Sequence, residues 1–240
     1  MSLSQSERDL AAEIDFDEFV VEVIKQESQA KMQKLLVERE VYLKDNELNC
    51  LNEFLPQYYL DFNQDIYGSY NYAGNLLVEG LSVSLLPEKN QRQVFSKLKQ
   101  FLTEQGYIIV FTDWMSNSLL NKAVIKTLCS LFRLNLETAI FKGNDMLDLI
   151  KIYQTNGWKI NRNEEVSPRE IVRQLKIWQD ISEFEIISIS NSNLIIEFAE
   201  LPLDVVSFAQ NVYEFCPKLQ NSQKVIQQLK KNKSLYLSWD

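Results

Sequence analysis

The sequence predicts an α+β fold, and three observations support that class. Helical patterns alternate with short apolar strands from residue 81 to the C-terminus, which is typical of mixed α and β structure. No glycine or proline occurs before Pro56, so the first part of the chain favours helix. The 240 residues are 45% hydrophobic and 11% aromatic, which is enough for a sizeable core. We therefore expect an N-terminal helical region, a βαβ-type segment and a C-terminal split-βαβ domain.

Residues 1–56 are predicted to form an acidic helical region. From residue 15 to about 44, apolar residues recur at spacings of three and four, as on one face of a helix. This stripe consists of Phe16, Phe19, Val20, Val23 and Ile24, and it resumes at Leu35, Leu36, Tyr42 and Leu43. The weak apolar face over residues 26–33 leaves open one helix or two. Residues 2–14 are polar and expected to fray, and residues 47–54 indicate a further short helix.

Residues 57–76 form a segment rich in tyrosine, asparagine and glycine. Five tyrosines fall between Tyr58 and Tyr72, and Gly68 and Gly74 are turn residues. Tyrosine provides contact area at low entropic cost, so the segment can be a recognition loop. It can equally be a linker whose rings pack on the protein, and the pattern leaves both interpretations open.

Residues 77–145 are predicted to form the βαβ-type segment. The pattern indicates a strand over 81–86, an amphipathic helix over 90–105 that ends at Gly106, and a buried strand over 107–112. A second helix over 117–133 and a short strand over 138–141 follow.

Residues 146–240 are predicted to form the βαββαβ domain with one extra helix. A strand over 147–153 leads to the turn Asn156-Gly157, and a capped helix begins at Ser167-Pro168 and buries Ile171, Leu175 and Trp178. Strands over 184–189 and 194–198 form a hairpin. Pro202 and Ser222 open two helices, and a strand over 235–239 ends the chain. This order is that of ferredoxin-like split-βαβ domains, an architecture that supports many functions.

The composition excludes several classes of catalysis. There is no histidine, which removes Ser-His-Asp and Cys-His catalysis and His-ligated zinc. The cysteines Cys50, Cys129 and Cys216 are widely spaced with no CxxC pair, so we expect buried thiols in a reducing compartment. No apolar run approaches the ~20 residues of a membrane span. We expect a cytoplasmic protein without cofactor, metal site, nucleic-acid partner or membrane association.

The negative charge is concentrated at the N-terminus. Of the net charge of −8, residues 1–74 contribute −9, with 15 acids and 6 bases, whereas residues 75–240 contribute +1. This asymmetry favours a basic protein partner, and the residues expected to steer it are Asp15, Asp17, Glu18 and Glu22. Alternatively, the acids only keep a helix face soluble.

Several motifs of the C-terminal part resemble a known family. They are Thr155-Asn156-Gly157, the helix carrying Leu175 and Trp178, Phe208-Ala209, the Tyr213–Pro217 segment, and the closing Leu235–Asp240. Together they resemble the bacterial family called domain of unknown function 4253, over roughly residues 140–240. The family ending is usually Leu-Trp-Trp-Asp, and here Ser238 replaces the first tryptophan. Trp158 and Lys159 also replace the usual Ala-Asn after Gly157. Lys218 follows Pro217, where the family commonly has aspartate. The resemblance implies no reaction and no catalytic residue.

Three groups of residues are candidates for a site. The first is a binding site formed by Asn156, Gly157, Trp158, Glu214, Trp239 and Asp240. The alternative is that Gly157 supplies a turn and the aromatic residues fill the core. The second group is the acids Asp113, Asp240 and Glu214, which would suit glycoside hydrolysis or Mg²⁺-assisted phosphodiester cleavage. The third is Cys216, which lacks a histidine base and is expected to be structural.

We interpret the chain as a non-catalytic bacterial protein-interaction protein. The specific hypothesis is an immunity-type protein that binds and neutralises a basic partner or toxin. The alternative is a carboxylate-based hydrolase or a small-ligand-binding domain centred on residues 140–240.

Overall fold

The computed structural model describes residues 2–43, 59–63, 72–85, 91–111, 136–155, 157–159, 164–216, 219 and 221–239. Within these ranges the chain forms seven α-helices and ten β-strands, which confirms the α+β class. The chain divides into two compact units. The first comprises Met1–Phe111 and Ser118–Asp148, and the second comprises Thr112–Asn117 and Leu149–Asp240.

The first unit begins with two helices, α1 (Gln5–Glu13) and α2 (Glu18–Ser28). The prediction that residues 2–14 fray is wrong because Ser4 forms a complete capping box. Its Oγ accepts a hydrogen bond from the backbone N–H of Glu7, whose Oε2 accepts one from the Ser4 N–H at 2.7 Å. The N-terminal helices of the predicted fold class are therefore present. Gln29 follows the last residue of α2 and caps the helix in a left-handed conformation with φ of 49°.

The long helix predicted up to residue 44 is wrong after α2. Residues Lys31–Leu43 form strand β1, which pairs antiparallel with β3 (Tyr72–Leu85) along its whole length, from Lys31 opposite Ser84 to Leu43 opposite Tyr72. A ladder of this length satisfies every second backbone group across the pair, and such tertiary pairing overrides a local helical pattern. Of the described residues in the region assigned to 1–56, those of α1 and α2 are helical and Lys31–Leu43 are strand. The helix predicted over 47–54 lies outside the described residues.

Part of the tyrosine-rich segment is also strand rather than loop or linker. Residues Tyr59–Asn63 form β2, which pairs antiparallel with β3 opposite Ala73–Leu77, and β3 itself begins at Tyr72. Strand β3 continues well N-terminal of the strand predicted over 81–86. The sequence did not predict these strands because a polar, tyrosine-rich segment shows no clear alternation of apolar and polar residues. The pairing of β3 with β1 and with β2 decides the conformation instead. Residues 64–71 lie outside the described part.

Strand β3 is the centre of the first unit's sheet. It pairs on one side with β1 and on the other with β5 (Leu136–Lys142), and β5 pairs with β4 (Tyr107–Phe111), all antiparallel. Gly80 allows the close approach of β3 and β5, because a Cβ there would lie 2.7 Å from the carbonyl oxygen of Ile140. The strands predicted over 107–112 and 138–141 are confirmed.

Helix α3 (Gln91–Glu104) confirms the amphipathic helix predicted before Gly106, which has φ of 78°. All five residues of β4 are buried, as predicted. Helix α2 is held near this strand by Phe16, whose ring centroid lies 4.8 Å from that of Tyr107. The Tyr107 hydroxyl also accepts a hydrogen bond from the backbone N–H of Asp17 at 3.1 Å. The helix predicted over 117–133 lies outside the described residues.

The capping residue Glu7 makes the stability of the first unit depend on pH. A hydrogen bond from Lys25 Nζ at 2.6 Å, and those from Ser4, lower the pKa of Glu7 from 4.5 to about 2. The ionised form is thus favoured in the folded state, and this contribution to stability is complete above pH 4.5 and is lost as the pH falls towards 2. Because the pair is partly solvated, we expect Glu7→Gln to lower the free energy of unfolding by about 1 kcal/mol at pH 7.

Urea unfolding between pH 2.5 and 7 measures this effect. The gap between wild type and Glu7→Gln should close at the acidic end of the range. Glu104→Gln, at an exposed position on α3, serves as a control that should show no such convergence. A gap of constant size at every pH would contradict the assignment.

The start of the second unit differs from the structure predicted for it. The strand predicted over 147–153 is wrong, since Asp148–Ile152 forms helix α4. The side chain of Asp145 accepts a hydrogen bond from the N–H of Leu147 at 2.9 Å, and its carbonyl accepts one from the N–H of Asp148 at 2.9 Å. A short apolar run fits a buried helix as well as a buried strand, so periodicity alone could not separate them. Two short strands follow, β6 (Gly157–Lys159) and β7 (Glu164–Val166), which pair with each other.

The middle of the second unit matches the prediction closely. Helix α5 (Pro168–Ile181) starts with the predicted capping box between Ser167 and Glu170, and it buries Ile171, Leu175 and Trp178. Strands β8 (Phe184–Ile189) and β9 (Asn193–Phe198) form the predicted antiparallel hairpin. Strong local signals therefore determined these elements, which need little tertiary context.

The last elements differ from the prediction at their starts and in their topology. Helix α6 (Val205–Phe215) is capped by Asp204 rather than opened at Pro202, and helix α7 (Ser222–Asn232) is capped by Asn221 rather than Ser222. Strand β10 (Ser234–Ser238) pairs directly with β9. The ferredoxin-like topology is not confirmed, because its expected first strand is helix α4. The core below these strands contains Leu194, Ile196, Phe198, Leu235 and Leu237.

Candidate functional site

Four segments of the second unit meet at one end of its sheet, where the β8–β9 turn and the end of β10 lie side by side. The Trp239 N–H donates to the carbonyl oxygen of Ser192 at 3.0 Å. The Thr155 hydroxyl donates to the carbonyl oxygen of Ser190 at 2.7 Å, and the Cys216 thiol donates to that of Ser238 at 2.9 Å. We call this group the motif end; it consists of Thr155, Ser190, Ser192, Asn193, Cys216, Ser238 and Trp239.

The candidate binding residues that the structure describes lie at separate places in the second unit. Gly157 and Trp158 lie in β6, opposite Val166 and Glu165, and the Trp158 side chain is outside the described part. Glu214 is exposed on α6, where its Oε1 accepts a hydrogen bond from Gln210 at 3.0 Å. Trp239 is buried, with 2% of its surface exposed. Asn156 and Asp240 lie outside the described residues, as does Asp113 of the acidic group. Of the candidates that the structure describes, Trp239 is the one at the motif end.

A buried polar network that sequence reasoning missed lies at the motif end. The Tyr236 hydroxyl donates to Asn193 Oδ1 at 2.7 Å, and Asn193 Nδ2 donates to the hydroxyls of Ser190 and Ser192 at 3.2 and 3.1 Å. Ser190, Asn193 and Ser238 are all buried. The sequence predicts a hairpin at Ser190–Asn193, and the structure buries Ser190 and Asn193 within it. Nothing in the local pattern indicates that the turn is buried.

Among the described residues of the second unit, two buried polar atoms have no hydrogen-bond partner: Ser188 Oγ and Trp239 Nε1. Ser188 lies next to the register shift in the β8–β9 pairing and is 1% exposed. A buried unsatisfied group costs on the order of 1–3 kcal/mol, so such groups in a native protein call for a bound water or ligand, or for a structural reason. These two atoms are the features of the unit that point to a bound molecule.

The aromatic residues of the C-terminal motifs pack against each other. The ring centroid of Phe215 lies 5.7 Å from that of Trp178 and 6.0 Å from that of Trp239, both with edge-to-face geometry. Trp178 also contacts Phe208 at 5.8 Å, and its Nε1 donates to Asn211 Oδ1 at 2.7 Å. Edge-to-face contacts of this kind are those of a close-packed interior.

Cys216 is fully buried at the end of α6, with its thiol directed to the carbonyl oxygen of Ser238. Reaction with an external reagent requires exposure of the sulfur and loss of this hydrogen bond. We therefore expect Cys216 to react with a maleimide at least ~100-fold more slowly in the native protein than in urea, because exposure needs local unfolding. Peptide mapping by mass spectrometry distinguishes it from Cys50 and Cys129, which lie outside the described residues. Rapid labelling of Cys216 without denaturant would contradict its burial.

The four residues predicted to steer a partner lie at the start of α2 in the first unit. Asp15 forms an ion pair with Lys142, with 2.7 Å between Oδ2 and Nζ, so its charge is partly neutralised. Within the described part of the chain, Asp17, Glu18 and Glu22 form no ion pair. Asp17 and Glu18 are exposed and Glu22 is half-buried.

Two residues of the predicted apolar stripe face solvent instead, Phe19 on α2 and Leu36 on β1. Phe16, Val20 and Ile24 are buried, but Phe19 is 61% exposed. Its one ring contact in the described part of the chain is an edge-to-face contact with Phe101, with centroids 5.9 Å apart. The buried face of α2 is centred on Val20, Val21 and Ile24 instead, so Phe19 lies at its margin and stays outside. Glu38 is exposed and lies on β1.

Several other charged residues of the first unit form ion pairs. Glu7 pairs with Lys25, Glu27 with Lys97 at 3.7 Å, and Lys34 with both Glu13 and Glu79 at 2.9 and 2.7 Å. Hydrogen bonds to Glu79 and Glu13 raise the pKa of Lys34 above its ordinary value, so it stays charged. The lysines of these pairs are therefore engaged, and the unpaired charges at the start of α2 are negative.

In the part of the chain that the structure describes, no three side chains of the His, Cys, Asp or Glu type are grouped to hold a metal ion. None of the described helices has both the length and the hydrophobicity to cross a bilayer.

Comparison with known proteins confirms the resemblance of the C-terminal part. Residues 138–240 match the family described as Domain of unknown function (DUF4253). The match begins within β5 and covers α4, the motif end and the later elements of the second unit. No curated protein and no solved structure matches the chain.

Proposed function

We propose that this protein is a non-catalytic, cytoplasmic protein-interaction protein of bacterial type that binds a basic partner through the start of α2. The specific form of the proposal is an immunity-type protein that neutralises a basic toxin. The observation that carries it is the exposed Phe19 ring among carboxylates that form no ion pair with any residue of the described part of the chain.

The composition of this surface supports the proposal. Phe19 exposes 61% of its surface, and Asp17, Glu18 and Glu22 surround it in sequence at one to three residues. An exposed aromatic side chain supplies binding energy on desolvation, while neighbouring charges set the rate and the specificity of association. Asp15 is left out of this surface because Lys142 already pairs with it.

A capture experiment with matched variants tests the proposal. Immobilised wild-type protein should retain a stoichiometric basic protein from lysate of the source cells at low salt and release it near ~0.5 M salt, where the Debye length is a few ångströms. The triple variant Asp17→Asn, Glu18→Gln, Glu22→Gln should fail to retain it. The control changes three exposed acids elsewhere, Glu38→Gln, Glu104→Gln and Glu214→Gln, and has the same net charge.

Once that partner is purified, stopped-flow measurements give the association rate constant. The triple variant should associate about tenfold or more slowly than wild type at low salt, because electrostatic steering is lost, and the difference should shrink as salt is added. The control variant should keep the wild-type rate within about twofold. Equal slowing of the two variants would show that only net charge matters and would overturn the assignment of the surface to α2.

A second candidate function is a small-ligand site in the second unit, favoured by the unpartnered Ser188 Oγ and Trp239 Nε1. Native mass spectrometry of the gently purified protein tests it. A bound molecule of defined mass that is lost in Ser188→Ala would support this function, whereas the apo mass alone would leave the interaction function as the better account.

A further inference from the structure

Strand β1 lies at the edge of the sheet in the first unit. Among the described strands it pairs with β3 and with no other, so one side of its backbone is open to a further strand. It is 13 residues long, whereas strands in globular proteins usually have about 3–10 residues. A long edge of this kind is a template on which another strand can pair.

The usual protections of an exposed edge are weak along β1. The strand contains no proline, and its register against β3 contains no bulge. In its middle, Leu36 is 51% exposed. Lys34, the nearest lysine, already pairs with Glu13 and Glu79 at 2.9 and 2.7 Å, so its charge is offset within the same chain. The edge therefore presents an exposed leucine in the middle of an uninterrupted ladder.

The charge of β1 differs from that of the region to which it belongs. Residues 1–74 have a net charge of −9, but the strand itself is nearly neutral. It has three basic residues and two acidic ones, a net charge of +1: Lys31, Lys34, Arg39, Glu38 and Glu40. The repulsion expected between two acidic N-terminal regions is therefore weak along this strand.

We propose that β1 pairs antiparallel with β1 of a second copy of this chain, about a two-fold axis at Leu36. Residues directly opposite each other in such a pair lie on the same face of the joined sheet. Leu36 then lies opposite its equivalent in the other copy, and Lys34 lies opposite Glu38. The proposed dimer is separate from the function proposed for α2, because it involves other residues and a different partner.

The side chains of β1 favour this register over the neighbouring ones. Moving the axis by one residue towards the N-terminus sets Lys31 opposite Arg39, and moving it by one residue towards the C-terminus sets Leu36 opposite Glu38. A further step sets Glu38 opposite its own equivalent. Like charges directly opposite each other destabilise a strand pair, whereas apolar pairs and opposite charges stabilise it. The axis at Leu36 gives an apolar pair at the centre and opposite charges beside it.

A disulfide between introduced cysteines tests the register. Opposed Cα atoms in an antiparallel pair are about 4.5–5.5 Å apart, a distance that a disulfide spans. Leu36→Cys should therefore give a covalent dimer on mild oxidation. Gln33→Cys, also at an exposed position of β1, should not, because its equivalent in the other copy would lie about 20 Å away. Peptide mapping separates the introduced link from links through Cys50, Cys129 and Cys216.

Sedimentation velocity measures the association without a crosslink. The sedimentation coefficient of wild type should rise with protein concentration from that of a monomer towards that of a dimer, because a single ladder buries little area and forms reversibly. Leu36→Lys brings two ammonium groups together at the axis and should raise the dissociation constant at least ~tenfold. Its circular dichroism spectrum should match that of wild type, since the position is exposed. Phe19→Ser, on α2, should dimerise as wild type does.

A wild-type protein that stays monomeric at every concentration would overturn the proposed dimer, leave the edge to a strand of a different protein, and leave the function proposed for α2 intact. A dimer that persists in Leu36→Lys, or that is lost in Phe19→Ser, would place the contact elsewhere and overturn it too. Equal crosslinking of Leu36→Cys and Gln33→Cys would overturn the two-fold register at Leu36.

Discussion

Replacing Trp239 with alanine is expected to lower the free energy of unfolding by about 3–5 kcal/mol. The side chain is 2% exposed, and its ring meets Phe215 edge to face with centroids 6.0 Å apart. Truncation would remove a large apolar contact and leave a cavity at the motif end. Urea or guanidinium unfolding followed by circular dichroism measures the change.

The conservative variant Trp239→Phe makes this prediction sharper. Phenylalanine keeps a ring against Phe215 and removes the indole N–H, which has no hydrogen-bond partner. We therefore expect Trp239→Phe to cost less than about 1.5 kcal/mol, the range of a tolerated hydrophobic exchange. A cost as large as that of alanine would show that the N–H binds something, and the small-ligand function would then become the better account of the motif end.

Replacing Trp178 with alanine is the second large effect, also about 3–5 kcal/mol. Trp178 is 0% exposed and contacts Phe208 and Phe215 at 5.8 and 5.7 Å. Unlike Trp239, it donates a hydrogen bond, from Nε1 to Asn211 Oδ1 at 2.7 Å. The alanine variant therefore loses both the packing of the ring and a bond between α5 and α6.

The comparison of phenylalanine variants isolates that hydrogen bond. Trp178→Phe should cost about 0.5–1.5 kcal/mol more than Trp239→Phe, the usual net contribution of one hydrogen bond. Asn211→Ala is the matched variant, and its effect should be smaller when Trp178 is already phenylalanine, because only the bond from Gln174 to Asn211 Oδ1 then remains to be lost. Additive effects of the two substitutions would contradict the role of Asn211 as the partner of the indole.

The ring contacts of the two tryptophans also bear on the family match over residues 138–240. Trp178, Phe215 and Trp239 belong to the segments that carry the resemblance, and they contact one another in a chain of edge-to-face rings. Such contacts are reason enough for those residue types at those positions. The polar part of the motif end, around Asn193 and the unpartnered Ser188, is where a bound molecule would have to be sought.

Elements with strong local signals were predictable from the sequence. The Ser167–Glu170 capping box starts α5 because both reciprocal hydrogen bonds are encoded within four residues. Gly106 ends α3 because a left-handed residue is needed there, and the apolar run after it becomes the buried strand β4. The absence of histidine and the concentration of acids before residue 75 are likewise properties of the sequence itself.

Only the tertiary structure decided the rest, because the deciding interactions join residues distant in the chain. Residues 31–43 carry a helical pattern, yet the ladder with β3 makes them a strand, and the apolar run before Tyr153 becomes helix α4. The sequence predicted an acidic N-terminal surface, but Lys142, 127 residues away, pairs with Asp15, and the packing of α2 buries Val21 rather than Phe19. The burial of the polar turn at Asn193 has the same origin, since Tyr236 and Trp239 reach it from the end of the chain.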